Sequence, residues 1–335
     1  MKLTNIKTEP ITRAEQISLS DHFVICCTRG SITILQRDTL QVLKKITQVT
    51  HVLKAVVSPN EKWALILATN DAFYILSLES YNIKKYNIMG RSPCGCCIDG
   101  HWTFDGKSFF IPVYNGTTTI SSLRRYSFNE TQDNNLPYTD ILNDKYYYRT
   151  VVPIHSMNKY LILAIDRCKQ DHRISNYYTL IVFDGELFEE YPLPDFDHNL
   201  SPSHIEYNDN THIVTLRGIL GLSVSFQYKN GKFCHVENNS FTGFKNNIDN
   251  QEIITNILKA AGCKHNEVNE IIRSSNRYRY YVSSNKGLIV VDKETYSIVS
   301  RIRFKHGIEK TVEFGSRYIG VATLDGLRMY EILEE

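Results

Sequence analysis

The sequence predicts an all-β chain built from repeated small sheets, and three observations lead to this prediction. Four stretches repeat one unit, a β-branched strand, a tight polar turn and further apolar strands, at 24–46, 64–88, 280–304 and 319–335. Several short strands recurring about every 40 residues are typical of radially repeated sheets. The chain is also rich in aromatic residues, with 21 Tyr and 15 Phe, which suit pleated sheet surfaces. Together these features predict a seven-bladed β-propeller of four-stranded antiparallel blades.

The bulk properties agree with one soluble domain that spans residues 1–335. Seven blades of about 40–45 residues account for most of this length. A net charge of +2 gives no general electrostatic reason to bind nucleic acid or an anionic membrane. We find no long apolar run and no secretory leader, so we expect no membrane segment and a cytoplasmic location.

The eight cysteines support the same location. Cys26-Cys27 and Cys96-Cys97 are sequence neighbours, and adjacent cysteines rarely suit a disulfide framework. We therefore expect free thiols in a reducing compartment.

Each predicted blade runs from an inner strand a to an outer strand d. The predicted blades cover residues 14–46, 51–88, 94–142, 149–192, 202–238, 268–304 and 310–333. Turn dipeptides separate strand b from strand c in four of them, at Arg29-Gly30, Asn70-Asp71, Lys286-Gly287 and Asp325-Gly326. Gly and Asp are the residues that tight turns between antiparallel strands favour.

Two segments fall outside this pattern. Blade 7 has only three predicted strands, and residues 2–8 form an alternating segment that belongs to no other blade. We expect this N-terminal segment to pair outside the last strand and close the propeller, with a frayed terminus as the alternative. Residues 250–262 place apolar side chains at helical spacing, so we expect one inserted helix there.

Short motifs resemble those of known propellers. VVSPNEKWALIL (56–67) and WTFDGKSFFIPV (102–113) resemble the turn between strands a and b in WD-repeat and YVTN-type propellers. VVDKETYSIVSRI (290–302) resembles a c–d hairpin of the same group. No Trp-Asp dipeptide ends a predicted strand c, and Gly100-His101 does not recur. The resemblance is therefore to a degenerate, WD-repeat-like propeller, and it implies a fold and no particular activity.

The sequence offers no convincing catalytic or metal-binding set. Histidines near the predicted inner strands do not share a strand position, as equivalent ligands around an axis would. The CGCC motif at 94–97 lies where small residues pack well, and it lacks the spacing of a zinc site. We therefore expect no catalytic residue, no metal and no cofactor.

Basic residues recur on the predicted outer strands. They are Lys44, Lys45, Lys84, Lys85, Arg301 and Arg303. One interpretation is edge protection, because charged residues on an exposed strand block pairing with other sheets. The other is a basic arc that docks an acidic partner or nucleic acid.

Long insertions concentrate at one end of the predicted blades. Four of the five long connections of blades 3 to 6 are b–c or d–a connections, which share that end. Loops on a rigid scaffold frequently carry function, and Tyr and Arg are enriched at interfaces. The candidate partner-binding residues there are Tyr146, Tyr147, Tyr148, Arg149, Arg167, Arg173 and Tyr177.

The leading hypothesis is a non-catalytic scaffold that binds another protein through this insertion-rich face of blades 3–6, as a subunit of a multiprotein complex. The first alternative is an enzyme that resembles the lactonase or quinoprotein propellers, with its site at the mouth of the central channel. The second alternative is a module that binds nucleic acid or an acidic partner through the basic arc, which the near-neutral net charge disfavours.

Overall fold

The computed structural model describes most of the chain. The described ranges are 4–9, 16–88, 99–115, 120–129, 136–166, 178–193, 202–235, 268–272 and 279–331. Within these ranges, the positions not described are 29, 50, 70–71, 143–144, 210, 219–222, 285–286, 293–294, 296, 306–307, 315–317 and 324–325.

Seven antiparallel sheets of four strands make up the described residues. The first strand is β1 (Thr4–Glu9). Blade 1 contains β2 (Gln16–Leu19), β3 (Phe23–Thr28), β4 (Ser31–Gln36) and β5 (Val42–Ile46). Blade 2 contains β6 (Val52–Val57), β7 (Trp63–Ala68), β8 (Ala72–Ser77) and β9 (Ile83–Asn87). Blade 3 contains β10 (His101–Trp102), β11 (Ser108–Asn115), β12 (Ile120–Ser127) and β13 (Tyr138–Leu142).

The remaining strands complete four further blades. Blade 4 contains β14 (Tyr146–Ile154), β15 (Lys159–Asp166), β16 (Tyr178–Phe183) and β17 (Phe188–Pro192), with a 3-10 turn at His155–Met157. Blade 5 contains β18 (Pro202–Asn208), β19 (Ile213–Gly218), β20 (Ser223–Lys229) and β21 (Lys232–His235). Blade 6 contains β22 (Val268–Ile272), β23 (Arg279–Ser284), β24 (Gly287–Asp292) and β25 (Ile298–Arg303). Blade 7 contains β26 (Ile308–Phe314), β27 (Tyr318–Thr323) and β28 (Gly326–Glu331), and β1 is its fourth strand.

The sheet order confirms the predicted all-β, seven-bladed fold. In blades 1 to 6, the four strands pair in sequence order from a to d. In blade 7 the N-terminal strand takes the outer place, because β1 pairs with β28 from Thr4↔Glu331 to Glu9↔Leu327. The predicted pairing of the N-terminal segment with the last strand is therefore present.

The residues group into two compact units. The first consists of Met1–Val52 and Phe244–Glu335, and the second of Leu53–Gly243. Blades 1, 6 and 7 belong to the first unit, and blades 2 to 5 to the second. The single domain over 1–335 stays a prediction.

The central strands β8 and β16 are largely apolar, and in blade 4 the cores shared with blades 3 and 5 cover both faces of β16. Every residue of β8 (AFYILS) and of β16 (YTLIVF) is buried, so these strands lack the alternation of a half-exposed strand. The outer strand β5, by contrast, buries only Ile46 and exposes three of its residues. This gradient from buried middle strands to exposed outer strands explains why the b and c strands are the clearest repeats in the sequence.

Aromatic side chains fill the core between blades 2 and 3. The ring of Phe73 lies 5.3 Å from both Tyr86 and Phe109, and Phe109 lies 5.2 Å from Trp102. The indole nitrogen of Trp102 donates a hydrogen bond of 2.9 Å to the carbonyl oxygen of Val56 in blade 2. This bond satisfies the one polar group of a buried indole and fixes the inner strand of blade 3 against blade 2.

The inner strand of blade 3 and the predicted helix are the two predicted elements that the described residues do not reproduce. We expected the inner strand of blade 3 to start near residue 94, but the described strand β10 contains only His101 and Trp102. The predicted helix at 250–262 lies outside the described residues. In the part of the chain that the structure describes, no helix has the length and apolar character needed to cross a membrane.

We predict that the turn glycine Gly287 is essential for stability. A Cβ there would lie 1.8 Å from the carbonyl oxygen of Ile302, and its φ is +150°. Gly287→Ala should therefore lower the free energy of unfolding by about 2 to 4 kcal/mol, measured by urea denaturation. The matched control is Gly30→Ala in the corresponding turn of blade 1, where a Cβ would have no neighbour within 4 Å. Equal stability of the two variants would contradict this assignment.

Candidate functional site

The candidate contact residues that the structure describes lie at the start of β14, the inner strand of blade 4. Side chains alternate between the two faces of a strand. Tyr146 and Tyr148 are 1% and 0% exposed, whereas Tyr147 and Arg149 are half-buried. The two buried tyrosines pack in the core between blades 3 and 4. Of the four predicted contact residues in this strand, Tyr147 and Arg149 are the two whose side chains are accessible, and the contact itself stays a prediction for all four.

A β-bulge sets the position of Arg149. Tyr148 is opposite Ala164 and Thr150 is opposite Leu163, so Arg149 is an extra residue between two successive pairs. A bulge bends the strand and redirects the side chain at that position. The guanidinium group of Arg149 donates a hydrogen bond of 3.1 Å to the hydroxyl of Tyr178, the first residue of β16. Arg149 therefore lies at the end of blade 4 that leads into the b–c connection.

The same irregularity recurs in the inner strands of blades 5, 6 and 7. The pairs that flank it are Pro202↔Gly218 and His204↔Arg217, Val268↔Ser284 and Glu270↔Ser283, and Ile308↔Thr323 and Lys310↔Ala322. In each blade the extra residue lies opposite the last residues of strand b. Bulges are over-represented at the rims of closed sheets and next to functional sites. The four bulges thus mark the blade end that carries the b–c and d–a connections.

A charged cluster lies beside the start of β14. The ammonium group of Lys145 lies 2.7 Å from a carboxylate oxygen of Glu190, 4.0 Å from Asp166 and 4.8 Å from the ring centre of Tyr146. The hydrogen bonds to Glu190 and Tyr146 raise the pKa of Lys145. Burial, together with Glu190, raises the pKa of Tyr146 to about 12. The cluster therefore keeps its charged lysine and neutral tyrosine throughout the physiological pH range.

Three of the predicted contact residues lie outside the described residues. They are Arg167, Arg173 and Tyr177, all in the b–c connection of blade 4. The described part of the candidate site is therefore Tyr147 and Arg149, with the neighbouring cluster of Lys145, Asp166 and Glu190.

The inner strands of blades 2, 3 and 4 meet at one buried carboxylate, which the sequence analysis missed. Asp99 forms an ion pair with Lys54 of blade 2. It also accepts hydrogen bonds from the backbone N–H groups of Gly100, at 2.8 Å, and of Val151 in blade 4, at 3.1 Å. Asp99 is 7% exposed, so these three donors compensate for the loss of hydration of its charge.

A second carboxylate links blades 4 and 5 at the opposite blade end. Asp209 accepts hydrogen bonds from the backbone N–H groups of His155 and Ser156 and from the Ser156 hydroxyl, at 3.1, 2.9 and 2.7 Å. Partial burial acts to raise the pKa of Asp209, but these hydrogen bonds outweigh it and hold the pKa below its usual range. The partners are more than fifty positions apart in the sequence, so no local motif could have revealed them.

The adjacent cysteines Cys26 and Cys27 are not placed for thiol reactivity, and the described residues offer no group of metal ligands. Cys26 and Cys27 are buried, and burial raises the pKa of the Cys26 thiol to about 12, which disfavours the reactive thiolate. Among the described residues, no three His, Cys, Asp or Glu side chains are grouped as a metal ion requires. The CGCC motif at 94–97 lies outside the described part of the chain.

Four of the six basic residues on the outer strands of blades 1, 2 and 6 are exposed, which agrees with edge protection and with a basic arc. Lys44, Lys45 and Lys85 are exposed, and Lys84 is half-buried with its ammonium group 5.5 Å from the ring centre of Tyr86. In blade 6, Arg303 is exposed and Arg301 is half-buried.

Comparisons with known proteins bear on the fold. No protein-family model matches the chain, and no curated protein matches its sequence. Among solved structures, the chain is similar to the β-propeller domain of Cps50 (Swd1) from Myceliophteria thermophila. The TM-score is 0.62 at 8% sequence identity, and the match covers 99% of this chain and 100% of that domain. The chain has a β-propeller fold.

In this propeller, the Gly-His dipeptide at 100–101 belongs to the Asp99 junction. The ring nitrogen Nδ1 of His101 lies 3.0 Å from the carbonyl oxygen of Trp102. Burial lowers the pKa of His101 to about 4, and the nearby charge of Lys54 acts in the same direction. His101 is therefore neutral at physiological pH and takes part in packing without adding a charge.

We predict that Asp99 stabilises the second unit strongly. Asp99→Ala should lower the free energy of unfolding by about 3 kcal/mol, because it leaves the buried charge of Lys54 without its counterion. The measurement is urea denaturation. The matched control is Glu79→Ala, which removes an ion pair to Lys62 between side chains that are 71% and 55% exposed and should cost less than about 0.5 kcal/mol. Similar losses in the two variants would argue against a special role for Asp99.

The Asp209 link predicts a pH dependence. Its pKa in the folded state is lowered, so its stabilisation is complete above the unfolded-state pKa of about 3.9 and is lost as the pH falls through the folded-state pKa. Asp209→Asn should therefore cost stability at pH 6 and much less at pH 3, as measured by urea denaturation at both values. The exposed turn residue Asp38 provides the control Asp38→Asn. An equal loss at both pH values in Asp209→Asn would rule out the charged link.

Proposed function

We propose that this propeller is a non-catalytic cytoplasmic scaffold that holds a partner protein through the blade ends carrying the b–c and d–a connections. Blade 4 provides the best-described part of this surface. The observation that carries the proposal is the bulge at Arg149, two residues after Tyr147 in the inner strand of blade 4. Bulges next to binding sites commonly redirect a side chain toward a ligand.

The residue types at this end support protein contact. Tyr and Arg are the residues that most often supply binding energy at interfaces, because each combines a large contact area with a hydrogen-bonding end. Tyr147 and Arg149 are half-buried, and the bond to Tyr178 holds the Arg149 guanidinium in place. A side chain that is held in place before binding loses less entropy when a partner docks.

The charged cluster adds specificity to the same surface. Lys145, Asp166 and Glu190 place both signs of charge at the start of β14, where the ammonium group of Lys145 lies over the ring of Tyr146. A partner that matches this arrangement gains complementary pairs, and one that does not must bury unmatched charges. The proposed surface therefore combines an aromatic and guanidinium centre with a charged border, as many protein interfaces do.

The experiment begins with recovery of the partner by co-purification from the native cell and identification by mass spectrometry. Binding of that partner is then measured by calorimetry for the normal chain and for the triple variant Tyr147→Ala, Arg149→Ala and Arg173→Ala. The affinity should fall by at least about tenfold, because truncated interface anchors cost about 1 to 4 kcal/mol each. The melting temperature should change by only a few degrees, since the side chains of Tyr147 and Arg149 belong to none of the described cores.

A second variant distinguishes the basic arc from this surface. It replaces Lys44, Lys45, Lys84 and Lys85 by Ala and should change the affinity by less than about threefold, as rim charges typically do. If the lysine variant abolishes binding and the Tyr/Arg variant does not, the basic arc is the binding surface and the present proposal is wrong.

A further inference from the structure

The outer strand of blade 7 differs from the other outer strands in how it is connected. In blades 1 to 6, the outer strand directly follows its neighbour in the sequence. In blade 7, by contrast, β1 ends at Glu9 and its partner β28 begins at Gly326. No hairpin turn joins β1 to β28, and the ladder between them is the pairing that the structure shows for β1.

The ladder between β1 and β28 is also less regular than its neighbour. Five residue pairs join β1 to β28, and the register shifts between Asn5 and Lys7. Six successive pairs join β27 to β28 without a shift. An irregular ladder offers fewer well-aligned hydrogen bonds, so β1 should separate from the sheet more easily than β28 does.

β28 itself remains anchored when β1 leaves. Leu327, Met329 and Tyr330 are buried and pack in cores that include residues of β27 and of blades 1 and 6. Release of β1 therefore exposes a firmly held strand edge with a row of unpaired N–H and C=O groups. Such an edge readily pairs with another extended segment.

We infer that the edge of β28 accepts the N-terminal strand of a second copy, which gives a strand-exchanged dimer in equilibrium with the monomer. The second copy is the fitting occupant because its residues 4–9 restore every pair that the released β1 made. Exchange of identical elements gains and loses the same contacts, so it is a low-cost route to a dimer.

Two single-cysteine variants test this inference directly. Thr8 and Arg328 are opposite each other in the ladder, so we would prepare one chain with Thr8→Cys and another with Arg328→Cys and mix them under mild oxidation. A disulfide between the new cysteines of two chains is strongly favoured when β1 of one copy lies on β28 of the other, because the two positions are then opposite each other. Mass spectrometry of the linked peptides separates this bond from any that involve the native cysteines. A tenfold rise in protein concentration should raise the ratio of linked dimer to monomer about tenfold, by mass action.

The double variant Thr8→Cys with Arg328→Cys in one chain is the control for geometry. Its disulfide should form within the chain and should then prevent exchange. Differently tagged copies of the unmodified chain, mixed and separated by affinity and size, give an independent measurement that needs no substitution. The inference is overturned if the double variant forms its internal disulfide while the mixed single variants give no linked dimer and the tagged copies do not exchange.

Discussion

The free edge of the inner strands is the constraint on which the arrangement of blades 2 to 4 depends. An inner strand pairs only with strand b, so some of the backbone N–H groups on its other edge must find partners elsewhere. Side chains from the preceding blade supply two of these partners in blade 4. Asp99 binds the N–H of Val151, and the hydroxyl of Ser121 accepts a bond of 3.2 Å from the N–H of Tyr148. The bonds that satisfy the strand edge therefore also fix one blade against the next.

The bulge in β14 makes this arrangement compatible with the core. Tyr148 and Val151 both pack in the core between blades 3 and 4, although strict alternation would place residues three positions apart on opposite faces. The extra residue, Arg149, shifts the alternation by one and removes the conflict. The same shift puts Thr150 opposite Leu163, a residue of the core between blades 4 and 5. A packing requirement thus explains why the strand has a bulge at position 149.

The sequence predicts those parts of the fold that depend on local composition. Strands such as β8 and β16 are continuous apolar runs that end in turn residues, so their positions follow from the sequence alone. The sequence does not reveal which strand face each residue of YYYR at 146–149 occupies. A run of similar side chains shows no alternation, and the bulge depends on pairing with β15. Asp99 and Asp209 were missed for a related reason. Their partners come from neighbouring blades, at positions that only the folded chain brings together.

The outer strand of blade 4 carries acidic residues that pair with lysines of the same blade. Glu189 lies 2.7 Å from Lys159, and Glu190 lies 2.7 Å from Lys145, so two of the acidic residues of the outer strand are balanced by lysines of the same blade. Exposed pairs of this kind contribute little to stability, and their charges discourage pairing with other sheets. Edge protection therefore accounts for Glu189 in the outer strand of blade 4 without a partner, whereas Glu190 also belongs to the charged cluster at the start of β14. This leaves the bulged ends of the inner strands as the part of the fold that edge protection does not explain.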